Sequence, residues 1–402
     1  MSDPKLPRLP DAGEAVARFV RHLEARAGRY FPELAADHPT VRLVWRSVRL
    51  NSQLYEFAIT GKAATRRVIV KVPFAPKHVA GSVHHDRRPA PDRPRLFPKA
   101  DAYAKGLYEY RALGAIDAHF RGLCDRRFGT IRVFDLLPDP YTVVMEKATD
   151  PALARLVRKA HRGLRSSQWK LLEEGFRHAG AWLDQMHRLE PLEHTQPRNR
   201  RADDYFTATD RFIAFLKRCG GERGFFDRFP RELTEAAAAL LPETLPLGTS
   251  HGDYAPRNLL LQRGGRVTVF DTLARWQAPI YEDVAHFLVA LKTSMPQVLA
   301  PRLLSDPARL AACEEAFLQA YFERTGIPRG VIRLFECQVL LERWTALVFR
   351  AEEAGGLRGV ARRARVLLLK GGVTRHLASA LRQAICEAEG DAATVPRLFT
   401  SP

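Results

Sequence analysis

Residues 251–287, HGDYAPRNLLLQRGGRVTVFDTLARWQAPIYEDVAHF, decide how the rest of the chain is read. The opening, His251-Gly-Asp-Tyr-Ala-Pro-Arg-Asn258, sets Asp253 and Asn258 five residues apart on a loop broken by Pro256. Leu259-Leu-Leu-Gln262, a Gly264-Gly265 turn and Arg266-Val-Thr-Val-Phe270 follow, which predicts a short β-hairpin. The hairpin runs straight into Asp271, a lone carboxylate after an apolar strand. Taken alone, an Asp and an Asn at this spacing also read as turn and cap residues. Taken together, Asp253, Asn258 and Asp271 are the set that phosphoryl transfer uses: a carboxylate to accept a hydroxyl proton, and an Asn and an Asp to hold Mg²⁺.

Outward from this stretch, 402 residues suffice for two or three packed units. Hydrophobic content of 46% and charged content of 27% are those of an ordinary globular protein. No apolar run approaches the ~18–20 residues of a membrane span. The proline-rich start lacks the apolar core of a secretory signal. Cys124, Cys219, Cys313, Cys337 and Cys386 show no metal-site spacing, so the expectation is a soluble, cytoplasmic protein. The net charge of +18 attracts phosphates, acidic glycans, nucleic acid or anionic membranes. No zinc-finger spacing or aromatic-basic RNA-binding signature accompanies it, so a solvated basic surface is the reading favoured over a specific nucleic-acid partner.

Residues 11–28 read as a helix with an Asp11/Glu14 capping box, a Val16-Phe19-Val20-Leu23 stripe and Gly28 as its stop. Residues 41–50, 53–60 and 66–74 alternate as strands. Period two sets Val68, Val70 and Val72 on one face of the third, and Ile69 with Lys71 on the other. A lysine inside such a strand needs an anionic partner, unless the strand is an edge and the lysine reaches solvent. Residues 75–100, rich in Pro, Arg and His, read as a long inserted loop, with His84-His85 as surface residues. In the helix predicted over 101–120, Glu109 shares a face with Leu113 and Ile116, which suggests a partner inward at Lys71; the alternative is a surface pair with Lys105. Strands follow at 130–137 and 141–145, the second running into Glu146. The rest is mostly helical: 169–189 ending at His187, then about 202–218, 230–241, 283–292, 307–325, 331–353 and 361–388. Residues 155–170, dense in Arg and Lys, read as a solvated face.

The ordered combination of H-G-D, P-x-N, hairpin and strand-end aspartate resembles the catalytic segment of the aminoglycoside phosphotransferase family, the small-molecule branch of the protein-kinase-like fold. The resemblance runs over about 40–73 and 101–295 and is densest in 245–290. It implies a two-lobed α+β fold, with a small β-rich N-lobe over 1–147 and a large, mainly helical C-lobe over 148–402. It implies ATP and Mg²⁺ as cofactors, Asp253 as base, and Asn258 and Asp271 as metal ligands. Lys71 and Glu109 become the phosphate lysine and its orienting carboxylate, and the adenine would bind backbone groups at the hinge near Glu146. Asp283 resembles an aspartate that braces the catalytic loop, His251 a residue that fixes it, and His187 a structural residue at a helix end.

There are departures. No Gly-rich loop joins the first two strands, which leaves Asn51 and Ser52 as candidate phosphate contacts. Ala255 stands where the family often has a Lys or His, so Arg257 is the candidate for that positive charge. Thr272-Leu273 after Asp271 argues against a protein-kinase activation loop. The function expected is transfer of the ATP γ-phosphate to a small-molecule hydroxyl, with a sugar, sugar phosphate or glycan-linked acceptor fitting the charge better than a cationic aminoglycoside. Two other readings stand beside it: a catalytically silent nucleotide-binding module, and a basic nucleic-acid or membrane-surface binder. Acceptor identity, oligomeric state and the choice of ATP or GTP stay open at this level.

Overall fold

A computed structural model describes residues 12–36, 38–49, 52–62, 64–73, 102–138, 141–160, 166–219, 223–293, 306–352 and 356–390. The fold is α+β, and the chain divides into two compact units. The first holds residues 1–87, 100–117 and 131–149; the second holds 88–99, 118–130 and 150–402.

The first unit opens with α1 (Ala12–Tyr30), whose Ala15, Phe19, Leu23 and Ala27 recur every four residues and are buried. Phe19 and Leu23 form the centre of the stripe, and Val16 and Val20 lie on its flank. Gly28 does not end this helix, contrary to the sequence reading. A Cβ there would meet the Ala35 Cα at 2.8 Å, so the glycine makes room for the returning chain. The expected cap, Asp11, lies outside the described residues, as do Asn51 and the whole 75–100 insertion with His84 and His85.

Next come β1 (Thr40–Val48), β2 (Ser52–Thr60), β3 (Thr65–Pro73), α2 (Ala102–Leu123), the short β4 (Phe128–Gly129) of the second unit, β5 (Val133–Pro138) and β6 (Tyr141–Glu146). The first unit's strands form one sheet in the order β1-β2-β3-β6-β5, antiparallel throughout. Val68, Val70 and Val72 pack into the same core as Phe19 and Leu23. The face they share leaves Lys71 on the other, as period two requires.

The second unit continues with α3 (Leu153–Ala160), α4 (Ser166–His187), β7 (Gln196–Pro197), α5 (Ala202–Arg218), α6 (Arg223–Leu240) and β8 (Leu247–Ser250). After these come β9 (Leu259–Leu261), β10 (Val267–Val269), β11 (Trp276–Pro279), α7 (Ile280–Lys292), α8 (Pro307–Tyr321), α9 (Arg329–Glu352) and α10 (Gly356–Ala388). Residues 155–170 are not a uniformly solvated face: Val157, Ala160 and Trp169 are buried while Arg155, Arg158 and Lys159 stay outside. Helix α6 starts seven residues before the proline expected to open it. Pro230 sits inside the helix, and Phe226 and Phe229 anchor the preceding turn in the core.

Two strand pairings bring the decisive stretch into place. Strands β9 and β10 form the predicted hairpin, with Val267, Thr268 and Val269 opposite Leu261, Leu260 and Leu259. His178 Nδ1 on α4 lies 2.8 Å from the carbonyl of Gly265 at its turn. Strand β11 lies antiparallel to β8, Trp276 opposite Ser250. Because α7 starts directly after β11, its first turn is delivered beneath the loop that leaves β8.

Candidate active site

The loop after β8 is organised around one buried carboxylate. Asp283, in the first turn of α7, accepts from the Ser250 hydroxyl at 2.9 Å and the His251 N–H at 2.7 Å on Oδ2. It accepts from the Gly252 N–H at 2.9 Å on Oδ1. His187 at the end of α4 adds its Nε2 at 3.2 Å, and its Nδ1 is held 2.6 Å from the Tyr321 hydroxyl. Burial works against the charge on Asp283, but the His187 hydrogen bond and the neighbouring histidines win, and the carboxyl is held well below the usual range. These bonds clamp Gly252 at a φ of +80°, a left-handed turn that favours glycine.

His251 carries the geometry one step further. Its Nδ1 faces the Asp253 N–H at 3.3 Å and its Nε2 faces the Phe270 carbonyl at 3.2 Å. Only the neutral ring with its proton on Nε2 satisfies both, and burial lowers the imidazole pKa in the same sense. Tyr254, fully buried, donates its hydroxyl to the Ala179 carbonyl at 2.7 Å and stacks on Trp182. The loop is therefore fixed on both sides of Asp253.

The structure brings Asp253, Arg257 and Asn258 into direct contact. Asn258 Nδ2 donates to the Asp253 carbonyl at 2.9 Å and to its Oδ2 at 3.1 Å, and Arg257 donates to Oδ1. The Asp253 side chain keeps 42% of its surface exposed, so both oxygens retain room for a ligand. Asp271 is tied to the same loop through its neighbours. Phe270 N–H donates to the Asn258 carbonyl at 3.2 Å, and the Thr272 hydroxyl to the His251 carbonyl at 3.1 Å. Asp271 itself is exposed at a φ of +66°, a strained conformation for a residue with a side chain.

Among the described residues, no group of three or more His, Cys, Asp or Glu side chains forms a metal cluster. Asn258 and Asp271 nonetheless fit Mg²⁺, which keeps several waters and needs only one or two protein ligands. With both Asn258 amide hydrogens turned onto Asp253, its oxygen is the end left over for a cation.

In the first unit, Lys71 Nζ lies 2.6 Å from Glu109 Oε1, both buried, and this is the inward pairing expected over one with Lys105. Ser52 is buried at the start of β2, opposite Pro73. Glu146 ends β6 opposite Val68, and its N–H donates to the Arg132 carbonyl at 2.9 Å.

Two groups of site residues escaped the sequence reading. His194 Nε2 lies 2.9 Å from the Leu273 carbonyl and Thr195 donates to that of Ala274 at 2.8 Å, which supports the backbone just after Asp271. Glu342 and Arg343 on α9 lie within electrostatic reach of Asp253. Burial and then Arg257 lower Arg343 to about 10. A charged pair inside the apolar run Val-Leu-Leu-Glu-Arg-Trp was the available signal.

Residues 136–330, a little under half of the chain, match the family model described as the phosphotransferase enzyme family (APH). No curated protein matches the sequence. Among solved structures, a provisionally assigned aminoglycoside phosphotransferase from Ralstonia eutropha JMP134 is 14% identical over 92% of this chain and 98% of its own, with a TM-score of 0.55. The aminoglycoside phosphotransferase APH(4)-Ia is 12% identical over 92% and 99%, with a TM-score of 0.50. A choline/ethanolamine kinase family protein from Mesorhizobium loti is 16% identical over 90% and 99%, with a TM-score of 0.48. At these identities the structural likeness is one of fold. The matched segment holds the clamped loop, the hairpin, Asp271 and Asp283, and over these residues the chain is similar to the phosphotransferase enzyme family.

Proposed function

We propose that this enzyme moves the γ-phosphate of ATP to a hydroxyl of a sugar, a sugar phosphate or a glycan-linked acceptor. The observation that carries the reading is the pair of bonds from the Asn258 amide to Asp253, which orients a half-exposed carboxylate and a metal-ligating oxygen from one loop. Asp253 accepts the acceptor proton as the hydroxyl oxygen bonds to the γ-phosphorus. The bond to the bridging oxygen breaks, and ADP departs with that electron pair. Arg257 holds one carboxylate oxygen and Asn258 the other, so the base is aimed before the acceptor arrives. Asn258 and Asp271 would hold Mg²⁺, which when bound neutralises charge on the phosphates. Lys71, kept in place by Glu109, takes a nucleotide phosphate, with Ser52 as a further contact. The N–H groups of Glu146 and Lys147 already bond to the Arg132 and Arg67 carbonyls, so an adenine beside this segment uses other backbone groups near them.

The charges around Asp253 support the acceptor class. Arg257 and Arg343 are cationic there, while Arg198 and Glu282 offset each other in an ion pair. Burial, followed by Glu282, pushes the Glu342 carboxyl up to about 7, which halves its charge near neutrality. The arginines facing this loop suit a neutral or anionic acceptor better than a polycation. The cysteines are all free thiols, in keeping with a reducing, cytoplasmic setting.

The test is an ATP-consumption screen over hydroxylated metabolites, with Asp253→Asn as control. Turnover with a sugar-type acceptor, lost in the variant, is the expected result; turnover confined to cationic aminoglycosides overturns the acceptor class. Thermal shift supplies the second arm. Mg²⁺-dependent stabilisation by ATP that Asp271→Ala largely removes supports the metal ligands, and equal stabilisation of both proteins refutes them.

A further inference from the structure

We infer that the N-terminal half of α10 is a docking surface for an anionic lipid bilayer. The helix packs one face inward through Leu369, Val373, Leu377, Ala380, Leu381 and Ala384, at the three- and four-residue spacing of a buried stripe. A second apolar stripe runs along the opposite side. Val360, Leu367 and Leu368 are 57%, 71% and 66% exposed, and Ala364 lies between them on the same face. Spacings of four, seven and eight residues align these side chains at 100° per residue. An aliphatic stripe of this kind on the solvent side of a helix already packed on its other side has no role in the core.

Charge selects the occupant. Exposed Arg363 and Arg365 flank the stripe on its two sides, with exposed Arg362 and Arg375 nearby. From Leu357 to Cys386 the sequence contains no Asp or Glu. A basic polar rim around an aliphatic stripe is the pattern of helices that lie in a membrane interface, where arginines meet lipid phosphates and leucines enter the acyl boundary. A second copy of the chain would set these arginines against themselves, on a protein of net charge +18. Nucleic acid would use the arginines but leave Leu367 and Leu368 exposed, since single strands stack on aromatic rings, and this stripe has none. No described helix is long and apolar enough to cross a membrane, so the attachment is interfacial.

Vesicle co-sedimentation tests this with the full-length protein. Vesicles of phosphatidylcholine mixed with phosphatidylglycerol should retain it, and phosphatidylcholine alone should not. Leu367→Ser with Leu368→Ser should weaken retention by at least about tenfold, from the apolar area no longer inserted. Both side chains are exposed, so the thermal midpoint should stay unchanged, and ATP turnover in solution should as well. Arg363→Glu with Arg365→Glu should abolish retention and its salt dependence. Three results overturn the proposal: equal retention on neutral vesicles, full retention of the leucine variant together with equal binding to heparin or RNA, or a concentration-dependent dimer that the leucine variant dissolves.

Discussion

Helix α7 carries an ion at each end, buried at the first turn and partly buried at the last, and the two are used in opposite ways. At its first turn, Asp283 is a single anion ringed by N–H and O–H donors from a loop and a neighbouring helix. At its last turn, Lys292 bonds to Glu314 at 3.0 Å and Glu336 at 2.7 Å, and Arg333 bonds to the same two carboxylates at 2.8 Å each. Both positions suit the helix dipole, an anion at the start and a cation at the end. The second cluster balances itself, two cations against two carboxylates. It lines a cavity of about 360 Å³, yet offers a charged ligand little net attraction. The first cluster spends its charge on backbone, holding Gly252 and His251 in one conformation so that Asp253 projects half exposed with the buried Asn258 bonded to it. Burial of charge here closes a structure at one end of a helix and prepares a reactive loop at the other.

The largest effect expected is on the group that the prepared end presents. Asp253→Asn keeps size and hydrogen bonding but removes the proton acceptor, so kcat should fall by a factor on the order of 10²–10⁴. ATP affinity and stability should change little, because Asp253 is half exposed and its pairing with Arg257 is a surface one. Steady-state kinetics with an ATP-binding measurement separates the cases. A collapse of ATP binding would move Asp253 into the metal site, and near-full turnover would remove it from the chemistry.

Asp283→Asn attacks the clamp itself. Its amide would face N–H donors that now lack an acceptor, and removing one member of a buried ionic set costs roughly 3–5 kcal/mol. Turnover should drop with stability, since Asp253 hangs from this node through His251. Glu314→Gln, at the other end of α7, leaves Glu336 to serve Lys292 and Arg333, so about 1–3 kcal/mol should be lost. Its kcat should stay near wild type below the new unfolding midpoint. Urea titration together with turnover distinguishes the two ends. A Glu314→Gln variant as impaired in turnover as Asp283→Asn would erase the contrast.

The legible parts of this site are those the chain writes locally. Asp253, Arg257 and Asn258 meet within one loop, and the hairpin turn places Asp271 a short distance on. Lys71 and Glu109 were legible for a different reason, because each interrupts an apolar periodicity and so needs a partner inward. Supports that arrive from distant sequence were not legible. Thr195 reaches the Ala274 carbonyl, and Glu342 and Arg343 act on Asp253 from α9; tertiary packing alone creates those neighbourhoods. Helix ends failed where a residue's ordinary signal was overridden. Gly28 serves close packing against Ala35 instead of a stop, and Pro230 stays inside α6 because the phenylalanines before it are buried.

The smallest effect expected probes how far the reactive end's field reaches. Burial, and then the Glu282 carboxylate, push Glu342 up to about 7 from an ordinary 4.5. Between those values the folded chain holds a proton that the unfolded chain has released, so this group makes stability fall as pH rises through the window. His286 acts in the opposite direction. Burial and then Arg343 lower it to about 4 from 6.5, so its share of stability rises with pH over that range. The two slopes oppose one another in wild type. Glu342→Gln deletes only the first, because a glutamine has no proton to lose. Near pH 5 both proteins carry a neutral group at this position and should melt together. Toward pH 8 the variant should become the more stable by about 1–2 kcal/mol, after allowance for partial exposure, which is a few degrees in Tm. Melting curves across that range read the gap directly. A gap that stays constant with pH would mean Glu342 is ionised throughout, and would restore a full negative charge beside the acceptor site.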